Sequence, residues 1–151
     1  MAVKTLLIDE AEFIDFRLYG ILSTFSDAPQ FVYNLNRSFE TKFARCTDID
    51  VLIQEQISYY PVFEWENELN GVYYNIIKNV AYTMNSGENF GNLSALFDVA
   101  PALINQYKQY NFLLKVTGDD SEELIFTENN FIQLITELDT SSIKTIDRLI
   151  F

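Results

Sequence analysis

Asn70-Gly71, set between two runs that alternate apolar and polar side chains, is the feature that most restricts how this chain can fold. Asn-Gly is the preferred pair for a two-residue type I′ hairpin loop, because both central residues need positive φ and these two tolerate it. The spacing predicts an antiparallel hairpin over residues 59–84. A two-residue loop sets Leu69 opposite Val72, Trp65 opposite Ile76 and Phe63 opposite Lys78. Side chains alternate along a strand, so Tyr59, Phe63, Trp65 and Leu69 are expected to face the core while Glu64, Glu66 and Glu68 face water.

A second strand is expected over 110–116. Phe112, Leu113, Leu114 and Val116 form a short apolar run after Tyr110, closed by the turn chemistry of Gly118-Asp119-Asp120-Ser121. That is how a strand covered on both faces reads, although periodicity by itself leaves helix open. Residues 3–8 read as a first strand. Over 15–25, Phe16, Leu18, Ile21, Leu22 and Phe25 fit a helical stripe, but Gly20 and Ser23-Thr24 argue against one, and strand is preferred. Asp27 can cap a helix with Gln30 three positions on and Pro29 in the first turn, where its missing N–H costs nothing. Phe31, Val32, Leu35 and Phe39 share a face, so 28–40 is predicted helical.

Residues 43–53 are expected to supply a strand and a loop around Asp48-Ile49-Asp50. Residues 85–92 read as a polar loop, and 93–108 as irregular structure with a helical turn after Pro101. Thr127 precedes Phe131, Leu134, Ile135 and Leu138 at i, i+3, i+4 and i+7, which predicts a second amphipathic helix over 128–139. Residues 143–151 fit a short strand or helix equally. The expected fold is therefore α+β: one domain over 1–151, a largely antiparallel sheet, and two main helices, 28–40 and 128–139, packed on one face. A chain of 151 residues folding as one domain buries roughly 70% of its unfolded surface.

Histidine is absent, which removes Ser-His-Asp and Cys-His nucleophile systems and His-based zinc sites. One cysteine, Cys46, cannot form a CxxC motif or an internal disulfide. Gly87-Glu88-Asn89-Phe90-Gly91 lacks the lysine and spacing of a phosphate cradle. Carboxylates remain. Glu64, Glu66 and Glu68 could hold a hard cation through oxygen ligands if they lined one strand face, but a solvated face is expected. Asp119, Asp120, Glu122 and Glu123 lack EF-hand spacing and read as a solvated turn. Tyr59, Tyr60, Tyr73, Tyr74, Tyr107 and Tyr110 could floor a cleft or an interface, though ordinary sheet use is preferred. No catalytic, cofactor-binding or metal residue is assigned, and no cofactor is expected.

The formal net charge is −12, from 22 acids and 10 scattered bases. Such a surface repels phosphate, so neither nucleic acid nor anionic membrane is expected as a partner. The N-terminal stretch lacks the apolar length of a signal peptide, and a lone cysteine fits a reducing compartment, which points to the cytoplasm.

Residues 104–112, Ile-Asn-Gln-Tyr-Lys-Gln-Tyr-Asn-Phe, resemble the signature of the IPExxxVDY family of small bacterial proteins. Ile104 matches outright; Gln106, Asn111 and Phe112 stand where the family has Glu, Asp and Tyr. Asp15 to Ile21, Leu35-Asn36 and Leu149-Ile150-Phe151 extend the similarity along the chain. The resemblance implies a strand near residue 20 and transfers no activity. An amide does not act as a general base near neutral pH, so Gln106 and Asn111 are expected to serve structure, Asn111 by hydrogen bonding at the mouth of the buried strand.

Taken together, the residues suggest a non-catalytic cytoplasmic domain that associates with another protein or with a second copy of itself. The alternative is a small-ligand binder or enzyme using carboxylates and tyrosines in a cleft. A flat exposed apolar face would favour the first, and a polar cleft with facing acids the second.

Overall fold

The computed structural model describes residues 15–82, 100–118 and 123–151. The expected strand 3–8, the polar loop 85–92 and the acids Asp119, Asp120 and Glu122 lie outside the described residues.

Six strands form one antiparallel sheet in the order β2-β5-β6-β7-β1-β8. They are β1 (Phe16–Ser23), β2 (Ala44–Arg45), β5 (Val62–Glu66), β6 (Tyr73–Lys78), β7 (Phe112–Thr117) and β8 (Ile132–Leu138). β3 (Ile49–Ile53) and β4 (Gln56–Tyr60) pair separately as a two-stranded hairpin. The sheet is buried on both sides, which is why β7 reads as an apolar run rather than an alternation. Phe112, Leu114 and Val116 join one core with Ile21, Tyr74 and Ile76, covered by the single α-helix of the described residues, α1 (Ala28–Phe39), and by Phe126 and Phe131. Leu113 joins a second core with Leu18 and Ile77, covered by Tyr60, Leu103, Ile104, Ile143 and Leu149.

The helix forms where its local chemistry says it should. Asp27 Oδ2 accepts from the Gln30 N–H at 3.0 Å, Pro29 sits in the first turn, and Glu40 ends the helix in the left-handed region at φ 55°. Phe31, Val32 and Leu35 are buried, and the Phe31 ring stacks on Phe112 with centroids 4.2 Å apart. Burying such a Phe contributes roughly 1.5–3 kcal/mol. β1 is a strand, as expected. Gly20 is required there because the Tyr110 ring lies across it; a Cβ would fall 2.6 Å from that ring. Buried Asn79 ties the 100–111 segment to the sheet, donating to the Tyr107 and Tyr110 carbonyls and accepting from the Ile104 N–H. Its amide is thus satisfied at both ends, as a buried polar group must be.

Three expectations need correction. The second helix over 128–139 does not exist: residues 123–131 are irregular, and β8 pairs along the edge of β1. Among the described residues the fold is accordingly largely β with one α-helix, rather than α+β with two main helices. Asn129 starts the strand by accepting from the Phe131 and Ile132 N–H groups at 2.9 and 2.8 Å. A bulge then separates the Leu22–Leu134 pair from Ser23–Ile132, adding one residue to β8. The extra residue places Ile132 and Ile135 on the same face, three apart, and Leu138 reaches the second core instead. A bulged strand that gives Ile132 and Ile135 to one core and Leu138 to the other thus imitates helical spacing. Leu134, the fourth member of the stripe, is 40% exposed.

The hairpin register is also different. Trp65 pairs with Tyr74 and Phe63 with Ile76, a shift of two residues. The loop is Glu68 to Gly71, held by Asn67 N–H to Val72 O at 2.9 Å and Gly71 N–H to Asn67 O at 2.7 Å, with only Gly71 left-handed at φ 75°. Leu69, expected in the core, is 97% exposed. Finally, Tyr59 belongs to a different strand from Phe63. Pro61 lies between β4 and β5 and has no N–H to continue a ladder.

Within the described part of 93–108, Asn105–Tyr107 forms a 3₁₀ turn. Of the 143–151 alternatives, short helix fits: Ile146–Leu149 is one turn of 3₁₀-helix. In 43–53, Ile49 and Asp50 lie inside β3 and Asp48 before it. No helix among the described residues is long and apolar enough to cross a membrane.

Candidate functional site

Two adjoining surfaces collect the chemistry. The first is a cleft of about 560 Å³ over the second face of the sheet. Its floor follows from strand register: Glu64 pairs with Asn75 and Asn75 with Lys115, so the three side chains stand in one row across β5, β6 and β7. Asn75 is buried between the two charges. Tyr73, two pairs along on the same face, donates its hydroxyl to Glu64 Oε2, and that bond holds the phenol in its protonated form, its pKa pushed up to about 12.

Lys115 is the unusual member, only 7% exposed inside a buried strand. Its Nζ donates to the Leu149 carbonyl at 2.7 Å and lies 4.8 Å from the Phe16 ring centroid and 4.1 Å from that of Phe151. The carbonyl and the two ring faces offset part of the cost of burying an ammonium. Burial still lowers the amine below its ordinary pKa, and Asp15 at the cleft rim pulls it back up. No carboxylate among the described residues forms an ion pair with it.

The second surface is the outer face of the β3–β4 hairpin. Asp50 faces Tyr59, and Leu52 faces Ile57, across the ladder. The Tyr59 ring stacks on Tyr82, centroids 6.0 Å apart, and Tyr82 bridges Tyr59 antiparallel on the side of β4 away from β3. A depression of about 620 Å³ here is lined by Arg45, Asp48, Asp50 and both tyrosines. Arg45 pairs with Asp48 at 2.6 Å, which raises the guanidinium pKa, and Tyr82 donates its hydroxyl to the other Asp48 oxygen. Those bonds leave Asp48 fully engaged.

The sequence candidates scatter. Glu64 and Tyr73 meet in the cleft, and Glu66 lies two pairs along β5 on the same face, but Glu68 falls in the exposed loop, so the three glutamates do not line one strand face together. Among the described residues no three potential ligands cluster to hold a metal. The tyrosines serve several places. Tyr60 is buried and donates to the Pro101 carbonyl, Tyr74 stacks on Trp65 in the first core, and Tyr110 packs over Gly20 with Tyr107 against its ring. Cys46 donates to the Val62 carbonyl, and burial together with nearby Glu64 pushes its thiol up to about 11, which removes the thiolate needed for nucleophilic work near neutral pH. Asn111 Oδ1 accepts from the Ser23 N–H at 2.7 Å at the entry to β7, the structural role expected of it, and Gln106 donates to Ser142.

Lys115, Asn75, Leu52, Ile57 and Tyr82 escaped the reading from sequence. One signal was present for Lys115: a cation inside a run otherwise apolar. The others depend on which strand lies beside which. No protein-family model, no curated protein and no solved structure matches this chain.

Proposed function

We propose that this protein is a non-catalytic association domain that docks a second protein on the outer face of the β3–β4 hairpin. One observation carries the reading: Leu52 and Ile57, opposite each other across the ladder, are 71% and 49% exposed. A single exposed Leu needs no explanation, but a cross-strand apolar pair continued by the Tyr59–Tyr82 stack makes a patch. Tyrosine is enriched at such interfaces. The rim carries Asp50 beside the Arg45–Asp48 pair, and the whole chain carries −12, so a partner with an apolar centre and a basic rim fits better than a second copy. An engaged Asp48, a protonated Cys46 and a protonated Tyr73 support a binding role over catalysis. The acidity speaks against nucleic acid and anionic membrane, and one cysteine fits the cytoplasm.

Leu52→Asp and Ile57→Asp, both at exposed positions, test this. A protein captured by the parent and lost from both variants, each still melting cooperatively, is the expected result. Unchanged capture by both variants overturns the docking face. A parent that scatters as a dimer and variants that scatter as monomers would make the occupant a second copy.

A further inference from the structure

We propose that the cleft over β5, β6 and β7 binds a small zwitterion, a free α-amino acid or a short peptide, with its carboxylate at Lys115 and its ammonium at Glu64. The two charges stand on next-but-one strands in register with Asn75 between them. Neighbouring strands lie about 4.8 Å apart, so the backbones bearing these charges are about 10 Å apart. The charges do not pair with each other; the ion pair formed among the described residues is Arg45–Asp48.

Each charge is left with capacity facing the cleft. An ammonium has three N–H donors, and Lys115 spends one on the Leu149 carbonyl. A carboxylate accepts several hydrogen bonds, and Glu64 receives the Tyr73 hydroxyl on Oε2. A ligand carboxylate completes the first and a ligand ammonium the second, with the Asn75 amide, itself hydrogen-bonded to the Tyr73 hydroxyl, between them. Phe16 and Ile150 at the rim suit an apolar side chain.

Charge selects among ligand classes. Asp15 and Glu64 against Lys115 leave the cleft at −1, within a chain at −12, so a simple carboxylate is repelled on approach. A simple amine meets buried Lys115. A zwitterion carries no net charge and satisfies both ends. This inference is independent of the hairpin face: the row lies on the main sheet, and its failure would leave the docking reading untouched.

The test is calorimetric titration of the full chain at about 150 mM salt with the common amino acids, including L-leucine, and with Leu-Leu. Two half-ligands accompany leucine: 4-methylpentanoate, which lacks the ammonium, and 3-methylbutylamine, which lacks the carboxylate. At least one zwitterion is expected to bind, and its own deaminated and decarboxylated forms to bind at least tenfold more weakly. Glu64→Gln, at an exposed position, and Lys115→Met, which keeps the apolar stem, are each expected to weaken the zwitterion at least tenfold. If Lys115→Met fails to fold, Glu64→Gln carries the test alone. A carboxylate probe binding as tightly as its amino acid would overturn the zwitterion in favour of an anion site. No binding up to about 10 mM, weaker than about −3 kcal/mol, would overturn the site and leave Lys115 as the clamp on residues 149–151.

Discussion

The two hairpins of this protein turn in different ways. β3–β4 closes through Gln54-Glu55, both left-handed at φ 51° and 67°, so that Ile53 pairs directly with Gln56. β5–β6 closes through four residues, Glu68 to Gly71, of which only Gly71 is left-handed. Left-handed backbone costs an ordinary residue about 1–2 kcal/mol, and neither Gln nor Glu has the means to soften it. The tight loop thus forms where the residues suit it least, and the loose one holds Asn-Gly. What differs is the load on the strands. β5–β6 sits inside the main sheet, where Phe63 opposite Ile76 and Trp65 opposite Tyr74 bury against the first core and β7 grips β6 from the other side. That register leaves four residues over, and the turn accommodates them. In β3–β4, Ile49 and Val51 pack on the second core, opposite Tyr60 and Ser58, and that burial holds the strained pair in place. Register belongs to the core; the turn adapts.

The comparison breaks first at Ile76. Buried opposite Phe63, Ile76→Ala is expected to cost about 2–5 kcal/mol, while Leu69→Ala at the exposed loop changes stability by less than about 0.5 kcal/mol. Urea melts would show it, and a comparable loss at Leu69 would restore the two-residue register. The next effect has the opposite sign. Gln54-Glu55→Asn-Gly should stabilise by about 1–2 kcal/mol, since it relieves two left-handed positions. Equal or lower stability would mean that the Gln54 and Glu55 side chains hold the turn themselves.

Gly71→Ala is expected to cost about 1 kcal/mol for its positive φ alone, because nothing lies within 4 Å of the added Cβ. Asn70→Ala should cost about 0.5–1 kcal/mol through loss of the Val72 N–H bond to its side chain at 2.9 Å. Losses near 2 kcal/mol at both would say that both residues are left-handed after all. The smallest effect is at high pH. Tyr73, at the first β6 position, bonds Glu64 across β5–β6 and titrates near 12 folded against 10.0 unperturbed. Its contribution is complete below about pH 10 and fades as pH climbs towards 12. Parent and Tyr73→Phe should therefore converge in stability over that window. A constant difference would mean that the cross-strand bond is not made in solution.

How much was legible depended on the range of the forces involved. α1 could be read because Asp27, Pro29 and Gln30 act within three positions of one another. β7 could be read because burial on both faces leaves an apolar run. The cleft could not, because Glu64 and Asn75 join Lys115 only through two ladders, whose paired residues lie eleven (Glu64–Asn75) and forty (Asn75–Lys115) positions apart. The same holds for the hairpin face: Ile49 to Ile53 and Gln56 to Ile57 contain apolar residues on either parity, and nothing local says that Leu52 and Ile57 are the outward pair.

Sequence alone therefore determined what a few neighbouring atoms decide: the helix start at Asp27 and the strand at Gly20. Tertiary structure decided the rest. The expected and observed β5–β6 registers differ by two residues, which leaves every side chain on its own face, so alternation cannot tell them apart. Only the fit of Phe63 and Trp65 against Ile76, Tyr74 and the helix above them can. Likewise Phe131, Ile135 and Leu138 satisfy a helix and a bulged strand equally well in one dimension. The open edge of β1, supplying hydrogen-bond partners from Leu18 to Ser23, made the strand the lower in free energy.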